Sequence, residues 1–195
     1  MEYIYKEKDL DKISWERMDK YIEKIYKEVN KFILENSLEI KYIVPILRGG
    51  AIPAVILAHK FNIVDFLPVQ YKYGDETYQP EEKFSLDIYP NVNIKENECI
   101  LLVEGNHVTG KTAMTAKERI LEKFGKETKI VYVSITRDYS DKDSVQDVIY
   151  TTCGFYTNEQ KNLSKKECEK LNIDYTKVSV YPWENVQGEL KELNK

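Results

Sequence analysis

Twice in this chain an unbroken apolar run ends in a glycine turn and passes directly into a helical pattern. "IKYIVPIL" leads through Arg48-Gly49-Gly50 into "AIPAVILAHKFN", and "ECILLVEG" leads through "NHVTG" into "KTAMTAKERILEKFG". This pairing constrains the fold more than any other feature. A continuous apolar run reads as a strand covered on both faces, and helical crossovers are what cover such strands. Pro53 sits in the first turn of its helix, where a missing N–H costs nothing, and Gly125 closes the second helix. "KIVYVSIT" supplies another strand and "DFLPVQYKY" a further one. From Ser14 onward Trp15, Met18, Ile22, Ile25, Tyr26, Val29 and Ile33 recur at spacings of three and four, an amphipathic helix whose stripe packs on a sheet. The expected fold is α/β, a doubly wound, mostly parallel sheet flanked by helices. Ligands of such folds bind at the carboxyl ends of the strands, where both glycine turns fall.

The stretch "GDETYQPEEKFSLDIYPNVNIKEN" is polar and turn-rich, and reads as a loop or hairpin. Beyond Tyr150 the pattern weakens: "LSKKECEKLNI" reads as a short helix, "VSVYPWE" as a short strand, and "NVQGELKELNK" as a fraying polar tail. A length of 195 residues with no repeat or linker points to one domain over residues 1–195. The balance of 29 basic and 33 acidic side chains, a formal charge of -4, implies no nucleic-acid-binding face. No apolar stretch approaches the roughly 20 residues needed to span a bilayer, and the amino terminus lacks a signal-peptide layout, so a cytoplasmic protein with no membrane partner is expected. Cys99, Cys153 and Cys168 are odd in number and scattered, as reduced structural or surface thiols are.

Gly105, four further residues, and Gly110-Lys111-Thr112 spell G-x-x-x-x-G-K-T, the pattern of an NTP-binding P-loop. A glycine-preceded helix start binds phosphate in any family, because its unpaired N–H groups and the helix dipole both favour an anion. Thr109 and Thr112 add hydroxyls there and Lys111 a charge. A P-loop NTPase, however, needs several strands after the loop, one of them carrying a Mg²⁺-binding Asp. Less than half of this chain follows Thr112, with one convincing strand and Asp138 as the acid.

Taken together, "VPILRGGAIPAVILAHKFNI", "ILLVEGNHVTGKTA", the early "ISWERMDKYIEKI" and the late "VSVYPWE" resemble the type I phosphoribosyltransferases, and within them the xanthine-guanine/hypoxanthine branch. The resemblance runs over roughly residues 12–185. It implies a core over about 12–150 and a small C-terminal hood segment over about 151–185 that carries the base site. It implies transfer of a 5-phosphoribosyl group from phosphoribosyl diphosphate (PRPP) to a purine-type base in purine salvage, assisted by Mg²⁺, and a possible homodimer. By the same resemblance Thr109, Gly110, Lys111 and Thr112 hold the 5'-phosphate, and Arg48 and Gly49 hold diphosphate, with a non-proline cis peptide at that turn. Glu104 meets ribose hydroxyls or Mg²⁺ through water, and Arg137 reads the base beside Tyr181 and Trp183. Plainer roles stand beside these: a solvated Arg48, a helix-capping Glu104, core aromatics at Tyr181 and Trp183.

Departures from the family pattern bear on catalysis. Gly105 stands where a second acid is expected, Val108 where the acid–base Asp is expected, and Val178 where an aromatic stacks on the base. His107 is the one titratable newcomer in the loop, able to replace the base, to contact phosphate, or to lie as polar surface. Two functions follow: a phosphoribosyltransferase with an atypical loop, catalytic through Glu104 and His107, or a lapsed transferase that binds a nucleotide without turnover.

Overall fold

The computed structural model describes residues 4–73, 79–89, 91–173 and 177–194. Helix α1, Trp15–Glu35, starts at Ser14, whose hydroxyl accepts the Arg17 N–H. It buries Met18, Ile22, Ile25, Val29 and Ile33, the stripe that the spacing predicts, at about 1.5–3 kcal/mol per fully buried side chain. Strand β2, Glu39–Leu47, follows β1, Leu10–Lys12, and runs into α2, Ala51–Phe61. Next come β3, Val69–Tyr73, and β4, Pro80–Phe84, an antiparallel pair, so the described part of the polar stretch is a hairpin arm; residues 74–78 and 90 of that stretch lie outside the described residues. Strand β5, Glu98–His107, leads to α3, Lys111–Phe124, closed by Gly125, and then to β6, Lys129–Asp138.

The main sheet has the order β4-β3-β2-β5-β6-β7, parallel throughout except for β4. Its last strand, β7, Tyr150–Thr157, extends the sheet into the segment read from sequence as hood. Helices α1 and α2 pack on one face with Ile43, Leu101, Val103, Val131 and Val133. Helix α3 covers the other face through Ala113, Ala116 and Ile120, against Val44, Ile100, Leu102 and Tyr132. Alternate residues of β5 thus face opposite cores, which is why its sequence is an unbroken apolar run rather than an alternating one. The doubly wound α/β expectation holds.

A second, two-stranded parallel sheet joins β1 to β8, Val178–Val180, with α4, Lys165–Leu171, ahead of β8. The final segment is not a fraying tail. It forms α5, Val186–Leu193, because Asn185 accepts the N–H groups of Gln187 and Gly188, and Asn194 exchanges hydrogen bonds with the backbone of Tyr5. None of the helix's residues is buried.

Candidate functional site

Strands β2 and β5 are neighbours, with Val44 opposite Leu102 and Pro45 opposite Val103. From β2 the chain winds outward to β3; from β5 it winds the other way to β6 and β7. The crevice beyond the carboxyl ends of β2 and β5 is therefore the topological switch point, the place where open α/β sheets bind ligands. Both glycine turns meet there. The Leu47–Arg48 peptide is cis. Arg48 is exposed and Gly49 half-buried, and both border a cavity of about 1030 Å³ shared with Lys72, Lys83, Trp183 and Glu184.

The second glycine turn is short. Strand β5 continues through His107, so Gly105 lies within a hydrogen-bonded strand between Glu104, opposite Ser134, and Asn106, opposite Thr136. A P-loop needs that first glycine at the start of a loop wrapped round phosphates; here it is sheet, and the NTPase reading fails on that geometry. The turn is made instead by Val108, Thr109 and Gly110. Gly110 is left-handed at φ 73°, and a Cβ on it would sit 2.2 Å from the Ser144 hydroxyl and 2.9 Å from the His107 ring. Only glycine fits there. No side chain caps α3, whose first turn opens beside exposed Thr109 and Lys111 and half-buried Thr112. The four residues expected on the phosphate stand together round one helix start.

The titratable residues are arranged differently. Glu104 is 8% exposed and receives the Tyr132 hydroxyl at 2.5 Å; His107 is 1% exposed, with Nδ1 2.8 Å from the same hydroxyl. On its other side Nε2 lies 3.0 Å from both the Ser144 hydroxyl and the Asp141 carbonyl. Two proton arrangements satisfy this chain. With Glu104 ionised, Tyr132 donates to it, His107 donates from Nδ1 to Tyr132, and Ser144 donates to Nε2. With Glu104 protonated every donor reverses, and Nε2–H points at the Asp141 carbonyl. Burial pushes the Glu104 carboxyl up to about 7, against the pull of the Tyr132 hydroxyl and of Arg137. Burial, reinforced by Arg137, pulls His107 down to about 4, so the ring is neutral at pH 7.

His107 is thus a buried support beneath Gly110 rather than a loop base, because both ring nitrogens are taken by protein groups. Arg137 is likewise turned inward at 2% exposure. Its guanidinium donates to the Ser134 hydroxyl at 3.1 Å, the Lys142 carbonyl at 3.3 Å and the Thr152 carbonyl at 2.8 Å, over the Tyr132 ring. Those acceptors take three of the five guanidinium N–H donors that were expected to read a base. Tyr181, 3% exposed, donates its hydroxyl to the Gly105 carbonyl at 2.7 Å from within the core, and so does not line an open base site. Trp183 stacks on Tyr181 at 5.0 Å and 12° and borders the cavity, as Tyr71 does. Sequence reading missed Tyr132, the hub of the chain. Its signal was present: a phenol in the middle of a buried strand must find a polar partner.

A Mg²⁺ shell does not fit these side chains. Glu104 is engaged by Tyr132, and a Cβ at Gly105 would lie 2.8 Å from the Gly49 carbonyl carbon, so no second carboxylate enters on this backbone. Among the described residues no group of three His, Cys, Asp or Glu side chains comes together to hold a metal. Nor, among them, is any helix long and apolar enough to cross a membrane.

No protein-family model matches the chain, and no curated protein matches it. Solved structures do. A purine phosphoribosyltransferase from Pyrococcus horikoshii superposes with a TM-score of 0.64 at 21% identity, covering 91% of this chain and 95% of that one. A hypothetical protein from Neisseria gonorrhoeae with bound ppGpp gives 0.64 at 16% identity over 95% and 96%. The xanthine-guanine-hypoxanthine phosphoribosyltransferase of Helicobacter pylori gives 0.59 at 15% over 93% and 97%. With the switch-point crevice and its two glycine turns, these superpositions establish that the chain has the fold of the purine phosphoribosyltransferases.

Proposed function

We propose that the crevice binds PRPP or a 5'-phosphorylated nucleoside and transfers the phosphoribosyl group to or from a purine-type base. The observation that carries this reading is the meeting of two glycine turns at the switch point, one of them opening an uncapped helix start beside exposed Lys111 and Thr109. Thr109, Gly110, Lys111 and Thr112 take the 5'-phosphate through backbone N–H groups, hydroxyls and charge. Arg48 and the Gly49 N–H take diphosphate, and Trp183 borders the space left for the base. In the forward direction the bond from ribose C1 to the diphosphate oxygen breaks with its electron pair leaving on diphosphate. A bond from C1 to a purine nitrogen forms, and the proton of that nitrogen passes to solvent. Ionised Glu104 stabilises the positive charge that develops on the ribosyl group. With valine at 108 and His107 sealed by its neighbours, positioning and charge carry the rate, and the roughly 10²–10⁴-fold that a general base supplies is forgone. Diphosphate affinity measured with and without MgCl₂ reports what a cation adds through the ligand's own oxygens.

The second reading is a nucleotide-binding protein without turnover. The packing of Gly105 on Gly49 favours it, because the space for a second acid is filled by backbone. A neighbour solved with ppGpp bound is in keeping with a crevice that holds nucleotides. Diphosphate release from PRPP and a panel of purines separates the two. Release that is lost in Glu104→Gln supports transfer; calorimetric monophosphate binding with no release supports the binder; neither signal sinks both.

A further inference from the structure

Between the end of β5 at His107 and the start of α3 at Lys111 the chain has three residues, and their donors serve an anion only if the peptides are correctly aimed. Two contacts hold this turn from the protein side. One is the His107 ring beneath Gly110, 2.9 Å from where a Cβ on that glycine would stand. The other comes from Gln160, in the turn between β7 and α4.

Gln160 is itself fixed. Its backbone N–H donates to Oδ2 of Asp138 at 2.8 Å, while Oδ1 of the same carboxylate accepts the Ser140 N–H at 3.0 Å. Asp138 is fully buried at the end of β6, so the anchor is rigid. The Gln160 side chain then uses both N–H groups of its amide, one on the Val108 carbonyl at 3.0 Å and one on the Asp141 carboxylate. Both neighbours are acceptors, which places the amide nitrogen rather than its oxygen on that side.

The Val108–Thr109 peptide feels the consequence. Among the described residues the one cis bond is Leu47–Arg48, so this peptide is trans, and its C=O and N–H point in opposite directions. With the carbonyl held on Gln160, the Thr109 N–H is aimed away from that turn, in an exposed residue beside Lys111. Among the described residues this N–H has no acceptor. Turned over, the same peptide would present its carbonyl oxygen there, which repels an anion.

We infer that Gln160 is a positioning residue of the anion site, holding the Val108–Thr109 peptide so that the Thr109 N–H is offered to phosphate. This rests on the reading of the α3 start as the phosphate site. Gln160 touches no ligand itself and acts through the peptide it holds. The test titrates inorganic phosphate into the full chain labelled with ¹⁵N, following the amides of Thr109, Lys111 and Thr112, and measures Tm alongside. In wild type all three amides should shift along one saturable curve. Gln160→Met keeps the length of the side chain and removes both donors. It should weaken phosphate binding by about tenfold, the worth of one hydrogen bond to a charged group. At saturation the Thr109 amide should lose most of its shift while Lys111 and Thr112 keep theirs. Gln160→Asn, one methylene too short for the same bond, should behave alike and serves where the methionine variant folds poorly. A merely structural glutamine would lower Tm in both variants and leave phosphate affinity and the Thr109 shift as in wild type; that result would overturn the inference and leave the phosphate site standing. Wild-type shifts at Lys111 and Thr112 without Thr109 would overturn it as well. No shift at any of the three amides would remove the phosphate site, and the role of Gln160 with it.

Discussion

The two sides of the switch-point crevice differ in where their polar groups point. At the start of α3, Thr109 and Lys111 face solvent and no side chain caps the helix, so the donors there are available to an anion. A few residues earlier on the same strand, Glu104 and His107 are under a tenth exposed and bonded to one another through Tyr132. In the proposed reading phosphate recognition rests on backbone geometry, which survives substitution of most side chains. Acid–base chemistry needs titratable side chains with access to the ligand; positions 105 and 108 are glycine and valine, and His107 is turned inward.

Restoring the second acid is the strongest way to break that contrast. Gly105→Asp drives a Cβ to within 2.9 Å of three backbone atoms of Gly49, none of which belongs to a yielding side chain. Overpacking of this kind costs about 3 kcal/mol, so Tm should fall markedly and diphosphate release should not rise. A variant of unchanged Tm that gained turnover would mean that the crevice has room for the acid and that the buried side is reparable by one residue.

Removing the hub has a smaller effect and sharpens the separation of the two sides. Tyr132→Phe leaves Glu104 and His107 each short of a partner, a loss of about 2 kcal/mol in chemical denaturation. Affinity for a 5'-monophosphate should hold within about twofold, since α3 keeps its donors. Lys111→Ala is the mirror case. It should weaken monophosphate binding by about 1.5 kcal/mol, roughly tenfold in Kd, with Tm unmoved because the side chain is exposed. Equal effects of either variant on stability and on binding would show that the two sides act as one unit.

The α3 side of the crevice was legible in the sequence because it is local: a strand, a left-handed glycine and a helix start lie within a dozen consecutive residues. The buried side was not, because its bonds come from other strands. His107 is closed off by Tyr132 on β6 and by Ser144 beyond that strand, and Arg137 by a carbonyl of β7. Strand β7 was itself hard to see: "YTTCGFYT" mixes threonines with aromatics, since one face packs on α1 while the strand forms the sheet edge. Helix α5 escaped for a related reason. Its stripe is only Val186, Leu190 and Leu193, none of them buried, in a short polar segment with a glycine inside it, and it is fixed by asparagines at its two ends. The strands, helices and winding of the rest follow from apolar runs that face two cores at once.

The pH dependence of stability tests the buried side by itself, because its two groups act in opposite senses. Glu104 keeps its proton in the folded chain up to about 7, whereas the unfolded chain gives it up near 4.5. Its contribution is therefore full at acid pH and lost as pH rises through about 7. His107 stays neutral in the folded chain down to about 4, whereas the unfolded chain takes a proton near 6.5; its contribution is full above 6.5 and lost as pH falls through about 4. Between 4.5 and 6.5 the unfolded chain has one proton fewer at the first group and one more at the second, so the two slopes cancel. His107→Gln removes one of them, and its stability relative to wild type should decline as pH rises from 4.5 to 6.5. Glu104→Gln removes the other and should gain on wild type over that range. Tm of the three proteins at half-unit steps from pH 4.5 to 8 reads both differences, with all other titrating groups held in common. Curves that run parallel would mean that Glu104 and His107 titrate in the folded chain as they do in water, and the buried side of the crevice would then be open to solvent, as the phosphate side is.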